Sequence, residues 1–371
     1  MNKLFSAVTI RGVTLPNRIV VSPMCQYCAE DGKATSWHVA HLGQLAVSGA
    51  GMLCIDSTSV EPAGRITPGD LGLWDDKTEA SLKSVFEAIR KYSKIVVTLQ
   101  LAHAGRKASS YEPWNGGQLI PVSDGGWETC GPSARAHKQG ETPPVALTKA
   151  DLLRVRDAFA ASTARAVRLG VDAIELHGGH GYLIHQFLSP ISNRRTDEYG
   201  GSLENRMRFP LEVFDAVRGA LPAEKPLGIK LSAPDWVERG LDIDQTVEIS
   251  RGLKKHGADW IVLSSGGISP LQKIAPGPNY QVPFAERVKK ETGVISTAVG
   301  LITEAHQAEE IIAAGKADLV AIARAMLYDP RWPWHAAAEL NAKVDGPPPQ
   351  YWRAPPDQYK DIFNHMTFGA R

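Results

Sequence analysis

The feature that most constrains this chain is a joint that recurs along it. An amphipathic segment ends in glycine, a short aspartate-containing turn follows, and then comes a run of apolar residues. It occurs at Gly170-Val-Asp172-Ala-Ile-Glu-Leu176, at Gly257-Ala-Asp259-Trp-Ile-Val-Leu-Ser264 and at Gly315-Lys-Ala-Asp318-Leu-Val-Ala-Ile-Ala323, with a weaker copy at Gly49-Ala-Gly51-Met-Leu-Cys-Ile55. Each copy makes sense as a helix closed by a left-handed glycine and followed by a parallel strand buried on both faces. Helix starts agree, since Thr148-Lys-Ala-Asp151 and Thr303-Glu-Ala-His306 each put a capping hydroxyl ahead of a helical pattern. Short apolar runs predict strands near residues 18–22, 52–57, 95–101, 172–177, 226–232, 259–265, 295–299 and 318–323, eight in all. Eight alternating units, without a glycine-rich dinucleotide turn after the first strand, favour a closed barrel over an open doubly wound sheet. The expected fold is α/β, a (β/α)8 TIM barrel over residues 1–340 with an N-terminal hairpin and a long loop after strand three.

Two segments break the repeat. Residues 106–147 are rich in Gly, Pro and Ser and carry Trp114 and Trp127, as a lid or binding loop would, or else a surface excursion. Residues 341–371 form a proline-punctuated tail, including Gly346-Pro-Pro-Pro-Gln-Tyr-Trp-Arg353, whose rings need a surface on the same barrel or on a neighbouring subunit. Residues 364–371 read as a frayed terminus.

Forty-one basic residues against 40 acidic ones leave a net charge of +1, so no global field holds a nucleic acid or an anionic membrane. A small-molecule substrate is the expected partner. No run of about eighteen apolar residues marks a membrane span, and no apolar leader opens the chain. The 4 cysteines, at positions 25, 28, 54 and 130, are too few and too irregular for a disulfide-stapled secreted protein, which points to the cytoplasm.

In such a barrel the chemistry sits at the carboxyl ends of the strands. There the sequence puts Ser22-Pro23-Met24-Cys25-Gln26-Tyr27, Gln100-Leu-Ala-His103-Ala-Gly105-Arg106, His177-Gly-Gly-His180-Gly-Tyr182, Lys230, Gly300 and Ala323-Arg324. As N–H donors, His177 and His180 suit the charge that develops on a carbonyl oxygen during hydride addition, with Tyr182 as the proton source. A metal site and a purely structural histidine pair are the alternatives, although metal-dependent barrel hydrolases usually begin with His-x-His on strand one. Cys25-x-x-Cys28 has no second pair to complete a four-cysteine cluster, and Cys25 reads equally well as a small buried residue. Gly300 and Arg324 fit the barrel phosphate site. Lys230, inside strand five, requires an anion: either a reduced flavin or a buried acid.

Together, Ser22-Pro-Met-Cys-Gln-Tyr27, Gln100-x-x-His103-x-Gly-Arg-Lys107, His177-x-x-His180-Gly-Tyr-Leu183 and Ser192-Asn-x-Arg-Thr-Asp-Glu-Tyr-Gly-Gly-Ser202-x-Glu-Asn-Arg206 resemble the Old Yellow Enzyme family. The similarity covers nearly the whole chain and is greatest to the bacterial branch of NADPH dehydrogenases and xenobiotic reductases. The resemblance implies a barrel holding FMN non-covalently through Ser22, Pro23, Met24, Cys25, Ser57, Gln100, Lys230, Gly300, Ala323 and Arg324. It also implies that Cys25 tunes the flavin, that His177 and His180 bind the substrate carbonyl, and that Tyr182 donates the proton beside Tyr27. Ser57 stands where relatives often have alanine, Lys230 where they can have arginine, and Cys28 has no role in the pattern. The segment ending in Arg353 resembles one that reaches a neighbour's active site, which implies a homodimer or homotetramer.

The implied activity is ping-pong transfer of hydride from NADPH through the flavin to an activated C=C bond. A 2-hydroxy-acid oxidase and a non-catalytic flavin sensor are the rival readings. No ribose-reading motif separates NADPH from NADH.

Overall fold

The structure is a computed structural model and describes residues 2–364. An antiparallel hairpin, β1 (Val8–Ile10) and β2 (Val13–Leu15), precedes the first barrel strand, β3 (Ile19–Val21). Helix α1 (Ser36–Ala46), β4 (Met52–Ser59), α2 (Asp76–Tyr92) and β5 (Val96–Ala102) follow. The long loop then contributes only the two-residue strands β6 (Cys130–Gly131) and β7 (Val145–Ala146). Alternation resumes with α3 (Lys149–Leu169), β8 (Ala173–Gly178), α4 (Leu183–Leu188), α5 (Leu203–Ala220), β9 (Leu227–Ser232), α6 (Ile243–Lys255) and β10 (Trp260–Ser264). It finishes with α7 (Val282–Thr292), β11 (Ile295–Ala298), α8 (Ala305–Ala313), β12 (Leu319–Ile322), α9 (Arg324–Tyr328) and α10 (Trp332–Glu339).

Strands β3, β4, β5, β8, β9, β10, β11 and β12 form a closed parallel barrel, the last pairing with the first. All eight predicted strands are present within a residue or two of their expected bounds. Inside the barrel, Val20, Met52, Val96, Ala173, Trp260 and Leu319 pack on Ile10 and Leu15, so the hairpin plugs the amino-terminal end.

The recurring aspartates explain why the joint recurs. Asp172 accepts a hydrogen bond from the Val97 N–H at 2.7 Å and donates its own N–H to the Val97 carbonyl at 2.9 Å. Asp259 treats Leu227 the same way (2.8 and 2.9 Å), and Asp318 treats Ser296 likewise (3.0 and 2.9 Å). Each carboxylate thus clamps the start of the preceding strand, and a cation backs it: Arg90 at 2.6 Å, Arg11 at 2.9 Å and Lys289 at 2.9 Å respectively. The weak copy at Gly49 lacks the acid because Asn17 replaces it from the other strand, accepting from the Ile19 N–H and donating to the Gly49 carbonyl. The glycines of all four joints have positive φ, between 72° and 93°, as the turn requires.

Thr148 caps α3 and Asp151 completes the box, as predicted. The cap of α8 differs: Glu304, not Thr303, is the capping residue, because the Gln307 side chain folds back to accept the Thr303 and Glu304 N–H groups. The tail docks on its own barrel. Val344 pairs with Phe363, and both pack with Trp334 and Trp352. Residues 345–349 run beside Pro16, Gly49 and Ile95 at the amino-terminal end. Asn364, read as frayed, donates its N–H to the Val344 carbonyl at 3.3 Å; residues 365–371 lie outside the described residues. No helix among the described residues is long and apolar enough to cross a membrane.

Replacing Asp259 with alanine removes a charge-assisted bond at a strand start and is expected to cost about 2 kcal/mol, while Asp259→Asn, which keeps an acceptor, costs less. Urea denaturation of both variants measures the difference, and equal losses would rule out the clamp.

Candidate active site

Strand β8 ends at His177 and Gly178, and a tight loop carries His180 back over the barrel mouth. Ser232 and Ser264, register partners at the ends of β9 and β10, hold this loop. Ser232 Oγ accepts the His180 N–H at 2.8 Å, and Ser264 Oγ lies 2.8 Å from His180 Nε2. His180 has φ +54°, and the loop lies against Gly267 so closely that a Cβ on Gly181 would sit 2.1 Å from the Gly267 oxygen. Only glycine fits at that crossing. The Gly179 N–H points at His177 Nδ1 (3.3 Å), and His177 Nε2 stands 3.3 Å from His180 Nδ1. Burial, and then the Lys230 charge, depress both imidazole pKa values well below the usual range, so both rings are neutral.

The Tyr182 ring meets His177 edge-on at 4.7 Å. Burial raises its phenol pKa, so the proton stays on the oxygen until a basic partner arrives. Lys107 Nζ sits 5.2 Å over the same ring while donating to the His180 and Gly267 carbonyls. A cation over the ring face stabilises the phenolate that proton donation would leave.

A cleft beside the histidines is lined by Ser22, Lys230, Ser264, Gln281, Gly300, Ala323 and Arg324. Lys230 is only 7% exposed, yet its ammonium makes no hydrogen bond or ion pair among the described residues. Such a group is costly unless an anionic or electron-rich ligand meets it. Gln100 donates to Glu175 at 2.6 Å, which leaves its amide oxygen for a ring N–H. Arg324, exposed at the start of α9, makes no ion pair among the described residues and suits a phosphate. This donor set fits a flavin nucleotide: the lysine and glutamine for the ring, the end of β12 for the phosphate.

The family model that matches residues 3–343 describes the NADH:flavin oxidoreductase / NADH oxidase family. The chain is a member of it, within the Old Yellow Enzyme group. It is 44% identical over 343 residues to an NADPH dehydrogenase of Geobacillus sp. (strain WCH70), covering 92% of this chain and 95% of that one. It is 43% identical over 360 residues to the NADH:flavin oxidoreductase FG08077 of Gibberella zeae, covering 92% and 87%. Among solved structures, morphinone reductase superposes with a TM-score of 0.76 at 26% identity, over 99% of this chain and 98% of that one. A 2-naphthoyl-CoA reductase complex shares the fold at TM-score 0.80 and 23% identity; the chain spans 51% of that longer protein. The protein is therefore an oxidoreductase whose cofactor is FMN.

In this Old Yellow Enzyme, Ser22, Pro23, Met24 and Cys25 follow β3 directly, and the Ser57 N–H faces the Cys25 sulfur. Cys25 is half-buried and its thiol is held neutral, first by burial and then by Asp70 and Asp56. It is not bonded to Cys28, which is exposed. Tyr27 carries φ +53° and meets the exposed Trp114 edge-on at 5.6 Å, so the long loop reaches the site mouth through that ring. Trp127 instead anchors the loop, donating to the Ala63 carbonyl at 3.0 Å. The alternative of a metal at the histidines finds no set of three or more His, Cys, Asp or Glu ligands among the described residues.

The structure therefore gathers Ser22, Cys25, Tyr27, Gln100, His177, His180, Tyr182, Lys230, Gly300, Ala323 and Arg324 at one end of the barrel. It does not bring Arg353 there: that residue follows Trp352, which lines a cleft at the opposite end of the barrel. Sequence reasoning missed Ser264, Gln281, Asp56 and Asp70. An acid inside the apolar run Met52–Ser59 was a visible signal for Asp56; Gln281, in a connecting segment, offered none.

Burial lifts the Asp56 pKa from 3.8 to about 7 against two backbone donors, the Gln26 N–H at 3.0 Å and its own N–H. Between about pH 4 and 7 the folded protein keeps a proton that the unfolded chain has released, so stability falls as pH rises through that window and then levels off. Asp56→Asn lacks this loss and is expected to gain stability relative to the wild type between pH 5 and pH 8. Denaturation curves at both pH values check it, and a constant difference would refute the assignment.

Proposed function

We propose that the protein is an ene-reductase that takes reducing equivalents from NADPH and delivers them to the C=C bond of α,β-unsaturated carbonyl and related compounds, in two half-reactions at one site. The observation that carries this reading is the placement of a neutral phenol, Tyr182, edge-on to one of two neutral imidazoles 3.3 Å apart. A carbonyl oxygen held by His177 and His180 has its α-carbon within reach of that phenol. FMN, when bound, supplies the hydride relay between the nicotinamide and the β-carbon. His177 and His180 take up the negative charge that builds on the carbonyl oxygen, Tyr182 protonates the α-carbon, and Lys107 steadies the phenolate left behind. Tyr27 and Trp114 meet edge-on at the mouth and border the space for the substrate.

The Bacillus and Geobacillus relatives are named NADPH dehydrogenases, and morphinone reductase has been solved with tetrahydroNAD, which supports a nicotinamide donor. A 2-hydroxy-acid oxidase needs arginines for the substrate carboxylate, whereas Arg106 is committed to the carbonyls of Arg135, Ala136 and Ile268. We take the protein to be a cytoplasmic homodimer or homotetramer in which Arg353 serves a neighbour's site, a reading supported by its distance from its own.

Anaerobic titration with NADPH is expected to bleach the flavin spectrum, and cyclohexenone to restore it. Bound flavin that NADPH leaves oxidised would instead favour the oxidase or sensor. In Tyr182→Phe, re-oxidation by the enone should slow by about 10²-fold or more while reduction by NADPH is spared. Equal losses in both half-reactions would remove Tyr182 from the proton-donor role.

A further inference from the structure

Behind His180 stand two buried side chains that the reaction as described does not use. Ser264 Oγ is 2.8 Å from His180 Nε2. Gln281 Nε2 lies 3.2 Å from that same oxygen and 2.7 Å from Ser265 Oγ. Gln281 and Ser264 are 3% and 6% exposed, so water does not readily substitute for either bond.

The ring pair has two complete hydrogen-bond arrangements. The Gly179 N–H points at His177 Nδ1, so His177 carries its proton on Nε2 in both. In the first arrangement His177 Nε2–H donates to His180 Nδ1, and His180, protonated on Nε2, donates to Ser264. Each ring nitrogen is satisfied, but the His177 N–H is spent on its neighbour and His180 offers a substrate nothing. In the second, His180 carries its proton on Nδ1. Both imidazoles then aim an N–H into the gap between them, an arrangement that is repulsive until an electron-rich oxygen accepts from both. His180 Nε2 is now bare and needs a donor, and the Ser264 hydroxyl is the group within reach. Because Gln281 donates to the Ser264 oxygen, the hydroxyl hydrogen is uncommitted and can turn toward Nε2.

We propose that Ser264, oriented by Gln281, sets the tautomer of His180, so that a carbonyl or enolate oxygen arriving between the rings converts His180 from a hydrogen-bond acceptor into a second donor. The ring's proton count is unchanged: it releases one proton from Nε2 and takes one at Nδ1, exchanged through solvent in the open cleft. Ser264 and Gln281 are positioning residues that act through His180. The inference rests on the proposed role of the pair as the carbonyl holder.

The test uses holoenzyme with oxidised FMN and ¹⁵N-labelled histidine, because without reduced flavin there is no hydride to reduce the added cyclohexenone. The His180 nitrogens, assigned by their loss in His180→Asn, are expected to be pyrrole-like at Nε2 in the free protein. With saturating enone, Nδ1 should become pyrrole-like and Nε2 pyridine-like. Ser264→Ala should abolish this exchange and lower kcat/KM for enone by about tenfold, equivalent to about 1.4 kcal/mol, and Ser264→Thr, which keeps the hydroxyl, should restore most of it. Gln281→Glu, whose carboxylate captures the serine hydrogen, should hold His180 in its Nε2–H form even with enone present. An unchanged tautomer in wild type despite efficient enone turnover overturns the inference alone, as does a wild-type exchange in Ser264→Ala. Enone that neither perturbs the histidines nor re-oxidises the reduced flavin overturns the proposed function with it.

Discussion

The clamp made by a side chain at the foot of one strand on the backbone of its neighbour is the interaction on which the rest of this barrel depends. Asp172, Asp259 and Asp318 each satisfy an N–H that a strand start would leave open, and Asn17 does the same for β3 and β4. Backbone groups at a buried strand end have no water to turn to, so an unmade bond there costs more than a made one returns. Fixing register at the foot also fixes which residue emerges at the mouth. Gln100 stands beside Glu175, and Ser232 beside Ser264, because their strands are aligned at the other end.

The two ends treat charge in opposite ways. At the foot, carboxylates meet arginines and lysines, and the ion pairs are partly exposed. At the mouth, several titratable groups are buried without a partner of opposite charge, although His185 is paired with Asp235 and His103 with Glu61. Lys230 lacks an ion pair, Asp56 has only backbone donors, and Cys25 and Tyr182 are held in their protonated forms. That destabilises the apoprotein locally, and it is what a binding site for a large polar cofactor looks like before the cofactor contributes its own hydrogen bonds.

The barrel was legible because each of its units repeats one local solution, and repetition makes a weak signal countable. The resemblance in the Ser22–Tyr27, Gln100–Lys107 and His177–Leu183 segments named most of the mouth residues, since they sit contiguously at strand ends. Ser264 and Gln281 were not legible because they matter only through a neighbour 17 residues away in sequence. Glu304 displaced Thr303 as a cap because a glutamine side chain, rather than a hydroxyl, settled the open donors. The tail's choice of its own barrel depended on Trp334 and Phe363 meeting across the foot, a tertiary contact with no local signature.

The clamps join strands in pairs: β3 with β4, β5 with β8, β9 with β10, and β11 with β12. The circle is thus four quarters, and its other four junctions carry the ladder without a clamp of this kind. One of them, between β8 and β9, is held by five ladder pairs and by the Lys225 ammonium on the Val171 carbonyl, and it runs up to His177 and Lys230, so cofactor and substrate sit where two quarters of the wall meet.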